Sequence, residues 1–282
     1  MKTVATVAGT ALAASQILAG NQVLAGTSAL PEASGTAAAA NPPGGLTFVL
    51  VHGAWHGSWC WQRVTHRLAR AGHRVFTPTQ TGLGERRHLM SRDITLDTLT
   101  LDVANLIEME DLGDVVLVGH SFGGCALSGV ADRMPERIRR LVYLDAMIVE
   151  PGRKPFDALP AEGVAARLKA AEESSGGLSL PAPPAAAFGV VDATDAQWLE
   201  RHLTPQPLST YTSPLNVQGP IGNGLPATYI GCVAPAYGAL NSSREWARNR
   251  KGFEYMELAA CHDAMVSAPD ALTARLLDIA AR

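Results

Sequence analysis

The strongest constraint on this chain is an alternation. Short apolar runs recur along it, separated by stretches of helical period. Leu46-Thr-Phe-Val-Leu-Val-His52, stopped by Gly53, is too short for a helix and apolar on both faces, which suits a strand covered on both sides. Residues 73–77, 114–119, 140–145, 227–232 and 253–258 read the same way. Helical patterns over 61–71, 96–110 and 125–134 fall between the first of these runs. The expected fold is therefore a three-layer α/β domain, a mostly parallel sheet with helices on both faces. From 150 to 226 the alternation lapses into proline-rich loops around helical stretches near 161–174 and 195–203, which we read as a small helical cap. The core is thus expected over 46–149 and 227–282, with the cap inserted between them.

The N-terminus differs from the rest. Met1-Lys2 precedes a segment to Gly26 that is rich in Ala, Val, Leu and Gly and has no carboxylate and no further cation, the pattern of a secretory signal peptide. Val23-Leu24-Ala25 offers a cleavage point after Ala25, and 26–45 reads as a flexible linker of Ala, Pro, Gly and Ser. The expected location is periplasmic or secreted; the alternative is a cytoplasmic protein with an Ala-rich extension. Gln16, Asn21 and Gln22 interrupt the apolar run, so no stable membrane anchor is expected. With 23 basic against 26 acidic residues, the charge gives no reason to expect a nucleic-acid partner. The four cysteines, at 60, 125, 232 and 261, form no CxxC pattern, and neither a metal nor another cofactor is expected. The sequence does not disclose the oligomeric state.

Gly119-His120-Ser121-Phe122-Gly123 joins a strand to a helix of small residues, the context a nucleophile elbow requires. A serine on so sharp a turn needs neighbours two positions away that lack side chains. Its hydroxyl then projects above the sheet at a helix N-terminus, where developing negative charge is favoured. A serine nucleophile needs a base. Of the eight histidines, His262 follows the last strand by four residues and precedes the last helix, so it emerges at the same sheet edge as Ser121. His52 and His56 are four apart, but Gly53 argues against a helix that would pair them on a metal.

These motifs resemble the α/β-hydrolase superfamily. His52-Gly-Ala-Trp-His-Gly-Ser-Trp-Cys-Trp61, Gly119-His-Ser-Phe-Gly-Gly124, the Gly-Leu-Gly-Glu stretch at 82–85 and His262-Asp-Ala-Met265 are similar to bacterial esterase-like members of the branch that contains plant methylesterases and hydroxynitrile lyases. The resemblance implies a serine hydrolase that cleaves small carboxylic esters through an acyl-enzyme, with the backbone N–H groups of Ala54 and Phe122 as oxyanion hole. It also implies an acid after the penultimate strand, yet 233–244 contains no carboxylate and Glu245 is the first available. Asp145, at the end of the strand after the nucleophile helix, occupies an alternative place known in the superfamily; we expect it to be the triad acid, with Glu245 as the alternative. Asp263 is expected only to fix the histidine loop. The lyases carry a threonine and a lysine where this chain has Gly53 and Asp263, so an esterase is favoured over a lyase or a non-catalytic ligand-binding member. If the last two strands are neighbours, as in the superfamily, Cys232 and Cys261 share a sheet edge, where they are either bridged or buried as free thiols. Trp55, Trp59 and Trp61 are expected to line or support the oxyanion loop, and Phe122, Met147, Phe156, Trp198 and Tyr211 are the candidates for an apolar acyl pocket.

Overall fold

A computed structural model describes residues 45–282 of the chain. The expected leader over 1–25, and the linker up to residue 44, lie outside the described residues. In chain order the elements are β1 (Thr47–Val51), α1 (Gln62–Arg70), β2 (Arg74–Phe76), α2 (Leu96–Met109), β3 (Val115–His120), α3 (Gly123–Arg133), β4 (Ile138–Leu144), α4 (Ala161–Ser175), β5 (Ser179–Leu180), α5 (Ala193–His202), β6 (Gln206–Pro207), α6 (Ser209–Thr212), β7 (Ala227–Cys232), α7 (Asn241–Asn249), β8 (Phe253–Leu258), α8 (Ala264–Ser267) and α9 (Pro269–Ala280).

Six strands form one sheet in the order β2-β1-β3-β4-β7-β8, and every pairing in it is parallel. Thr-Phe-Val-Leu-Val of β1 and Val-Val-Leu-Val-Gly-His of β3 are buried at every position, because helices cover both faces. α1 packs with α8 and α9, and α2 packs with α3, which gives the two outer layers. α2 begins where Thr95 and Thr98 cap each other's backbone, and it buries Leu96, Leu99, Thr100, Val103, Ala104 and Ile107, a stripe of helical period. α3 is built from small residues because it crosses close to its neighbours: a Cβ on Gly129 would sit 2.4 Å from the Thr100 hydroxyl.

Strand order fixes what meets at the C-terminal edge. β4 lies beside β3, so Asp145 after β4 is one strand from the serine turn; β7 and β8 come next, so residues after β8 approach across the end of β7. Asp145 is tied down there, its N–H donating to the Ile230 carbonyl at 2.7 Å. Residues 150–226 hold α4, α5, α6 and the short antiparallel pair β5–β6. That strand pair was not legible in the sequence, because two residues per strand carry no period. All four cysteines are buried free thiols, and of the two readings of Cys232 and Cys261 the unbridged one holds.

Candidate active site

Ser121 sits between β3 and α3 with φ at +51°, a left-handed conformation that a non-glycine residue adopts only under constraint. Its surroundings supply that constraint. Ser121 N–H donates to the Leu144 carbonyl at 3.1 Å, and its own carbonyl accepts from Met147 N–H at 2.8 Å. The flanking glycines are forced by contact: a Cβ on Gly119 would lie 2.9 Å from the Gly123 carbonyl oxygen, and one on Gly123 would lie 2.7 Å from that of His52.

The hydroxyl lies 2.9 Å from His262 Nε2, and His262 Nδ1 lies 2.7 Å from Asp145 Oδ2. A carboxylate only accepts, so Nδ1 carries the proton and Nε2 is left to accept from Ser121. Asp145 is fully buried and takes three further bonds, from Cys232 N–H at 3.2 Å and from Arg244 Nε and Nη2 at 2.9 and 3.0 Å. Burial pushes its acidity the unfavourable way, but the bonds from His262 and Arg244 outweigh that and hold the carboxyl below its ordinary range. The structure thus brings Ser121, His262 and Asp145 together and leaves Glu245 exposed on α7. The sequence reading passed over Arg244; the signal available was an arginine closing the very stretch that lacks the usual acid, since a buried acid in another place needs a counter-charge.

The N–H groups of Ala54 and Phe122 donate to no protein acceptor among the described residues. Phe122 opens α3, where the first N–H groups have no partner within the helix. Ala54 follows β1, and that loop runs hard against the elbow, since a Cβ on Gly53 would meet Ser121 Cβ at 2.7 Å. A threonine at 53, as in the lyases, would therefore collide. Trp55, with φ at +65°, is held from the 150–226 segment: its N–H donates to Gln206 Oε1 at 3.1 Å, its indole to the Leu180 carbonyl at 3.3 Å, and its carbonyl accepts from Thr204 N–H at 2.9 Å.

Behind the site lie three histidines in three different states. His52 donates from Nδ1 to the Gly53 carbonyl at 2.8 Å and accepts the Gln80 N–H at Nε2, so it is neutral; burial lowers its pKa to about 3. His120 is likewise lowered to about 3, chiefly by burial, and its Nε2–H donates to the His262 carbonyl at 3.0 Å. His56 differs, because both its nitrogens face acceptors, the Ala54 carbonyl at 2.7 Å and Asp263 Oδ2 at 3.1 Å. Burial opposes its charge, yet the Asp263 carboxylate prevails and raises its pKa. Asp263 is therefore half of a buried ion pair that joins the Ala54 loop to the His262 loop, not an uncompensated anion beside the reaction. His120, His262 and Asp263 each offer an atom within 4.8 Å of the others, a spacing a metal could bridge. Both His262 nitrogens and the His120 Nε2 are already engaged, which leaves His120 Nδ1 and Asp263 Oδ1 as the unpartnered atoms.

The cavity at Ser121 has a volume of about 20 Å³ and is lined by Trp55, Phe122, Met147, Leu159, Tyr211 and Leu240, with Ala239, Arg167 and Tyr237. Three of the five residues expected in the pocket, Phe122, Met147 and Tyr211, are there, and Trp55 of the first-strand loop joins them. Trp198 instead lines a separate cleft with Trp59 and His202, and Phe156 packs behind Tyr211 at 5.1 Å. Arg167 and Tyr237 were not foreseen, because their helix and loop carry no motif.

The model of the family described as "Alpha/beta hydrolase family" matches residues 48–275. The carbendazim hydrolyzing esterase of Nocardioides sp. (strain SG-4G) is 40% identical over 240 residues, 81% of this chain and 97% of that protein. The putative methylesterase 14, chloroplastic, of Arabidopsis thaliana is 34% identical over 116 residues, covering 41% of this chain and 33% of its own length. Among solved structures, an extracellular alpha/beta-hydrolase from a Paenibacillus species superposes with a TM-score of 0.70 at 25% identity, over 82% of this chain and 97% of that one.

Proposed function

The chain belongs to the alpha/beta hydrolase family and is a carboxylic ester hydrolase; from that premise we propose that Ser121 is its nucleophile, His262 its base and Asp145 its triad acid. The observation that supports this best is the unbroken chain of hydrogen bonds from Ser121 Oγ through His262 to Asp145, at 2.9 and 2.7 Å. As Ser121 Oγ forms its bond to the ester carbonyl carbon, its proton passes to His262 Nε2. The carbonyl oxygen, now an anion, accepts from the N–H groups of Ala54 and Phe122. The C–O bond to the alcohol then breaks, and the alcohol leaves with the proton from Nε2. A water that gives its proton to the same nitrogen attacks the acyl-enzyme, and the collapse of that second intermediate releases the acid and returns the proton to Ser121. Asp145 fixes the ring and offsets its positive charge in both halves of the cycle.

The substrate is a small ester. Residues 150–226 form the cap over this site, a reading supported by their bonds to Trp55 and by the residues they lend to the cavity wall. Ser121→Ala and His262→Ala are each expected to cut turnover of 4-nitrophenyl acetate by about 10³-fold or more without changing circular dichroism; a folded variant of either that keeps most of its activity refutes the assignment. Export is proposed on the sequence of residues 1–25 alone. Among the described residues no helix is long and apolar enough to cross a membrane. Mass spectrometry of the protein recovered outside the cytoplasm should show a chain beginning at Gly26.

A further inference from the structure

The reactive cavity shares a wall with a second, larger one. At about 20 Å³ the cavity over Ser121 admits a group no larger than a water or a carbonyl, so most of any ester has to lie beyond it. The neighbouring cleft has about 230 Å³, and Trp55, Arg167 and Tyr237 line both spaces. The rest of that cleft is alanine, leucine and proline from 170–187, which leaves Arg167 as the one charged side chain on either lining.

Arg167 projects from α4 and is half-buried. It donates to the Gly163 carbonyl at 3.1 Å and shares the cavity wall with the Tyr237 phenol, both neutral, and no carboxylate among the described residues forms an ion pair with it. Tyr237 in turn stacks on the His262 ring with centroids 4.4 Å apart. A guanidinium set in apolar walls, with neutral partners only, keeps its two-pronged capacity for a carboxylate. On its other side Arg167 borders a wider cleft lined by Asp157 and Glu162, whose charges turn an anion away. The apolar cleft is thus the side on which an anion is welcome.

Resting on the assignment of Ser121 as nucleophile, we infer that Arg167 determines specificity and that the enzyme's preferred substrates are esters with an apolar body that ends in a carboxylate, which Arg167 grips in the outer cleft. The carboxylate draws the guanidinium into the outer cleft, so the wall that Arg167 and Tyr237 share yields where the ester has to pass.

The test compares matched esters. One pair carries the charge on the acyl side: the 4-nitrophenyl hemiesters of adipic and suberic acid against 4-nitrophenyl esters with an isopropyl group in place of the carboxylate. The other carries it on the alcohol side: 4-(acetoxymethyl)benzoate against 4-isopropylbenzyl acetate. In at least one pair the wild-type kcat/KM ratio of charged to neutral ester should reach about tenfold at low salt and shrink as salt is added. In Arg167→Met the ratio should fall to about one, and Arg167→Lys should keep part of it. Ratios near one for wild type in both pairs overturn the inference, as does a preference that survives Arg167→Met. Hydrolysis of these esters by Ser121→Ala at the wild-type rate would instead strike at the nucleophile assignment, a separate outcome.

Discussion

Arg244→Met removes the partner that balances Asp145 while keeping the size of the side chain. Asp145 is fully buried and accepts four N–H groups; the substitution deletes two of them, at 2.9 and 3.0 Å, together with the only full positive charge in contact with it among the described residues. Breaking a buried ion pair from one side costs about 3–5 kcal/mol, so the variant should lose stability on that scale in urea unfolding. Catalysis should suffer as well. With Oδ1 and Oδ2 held by His262 and one backbone N–H alone, the carboxylate drifts, and a misplacement of about 1 Å is worth up to about 10²-fold in kcat with little change in KM. Arg244→Lys restores the charge without the fork and should fall between the two. If Arg244→Met unfolds within about 0.5 kcal/mol of wild type and keeps its kcat, the clamp has no bearing on Asp145 and the reasoning fails.

Asp145→Asn should lower kcat by about 10³-fold or more while Glu245→Gln, on an exposed face, leaves it near wild type; the reverse pattern of rates would move the acid to α7. The pH dependence of stability follows from the buried histidines. His52 and His120 titrate near 6.5 when unfolded and about 3 when folded, so the unfolded chain binds more protons in that interval and stability falls as pH drops from 6.5 toward 3. Each contributes a loss of up to about 5 kcal/mol at pH 3. Asp145 and Asp263, whose folded pKa values are depressed, add their own loss as pH falls through those values, below the usual 3.8. His56 works the other way: its raised pKa contributes stability below 6.5 that is lost as pH climbs through the folded value. Urea midpoints measured across about pH 3 to 9 should therefore peak near neutrality, and a flat profile below pH 6.5 would contradict the neutral, buried state of His52 and His120.

The sheet was legible because β1, β3 and β7 are buried at every position and read as apolar runs, while the half-buried edge strand β8 still shows its bounds, and both β7 and β8 begin and end where their runs do. The serine turn was legible because steric contact leaves glycine alone able to stand at 119 and 123. The position of Asp145 beside His262 could be reached from chain order, since it follows from which strands end at one edge. What the sequence withheld depends on contacts between distant elements. Arg244 meets Asp145 across 99 residues and His56 meets Asp263 across 207, and no local period marks such pairs. Arg167 and Tyr237 belong to the same class. They occupy a helix and a loop that are unremarkable by themselves: α4 of the 150–226 segment brings Arg167 to the wall of the serine cavity, and the loop after β7 brings Tyr237.

The bonds that reach Trp55 from Leu180, Thr204 and Gln206 bear on how such an enzyme can change. In many enzymes a lid is an interchangeable cassette, free to vary while the chemistry beneath stays intact. Here the backbone next to Ala54 is held by residues of the 150–226 segment, so a graft lacking them would free the N–H we propose as an oxyanion donor. On the proposed assignment, single changes in the cleft wall leave that backbone in place, while wholesale exchange of residues 150–226 removes the groups that hold it.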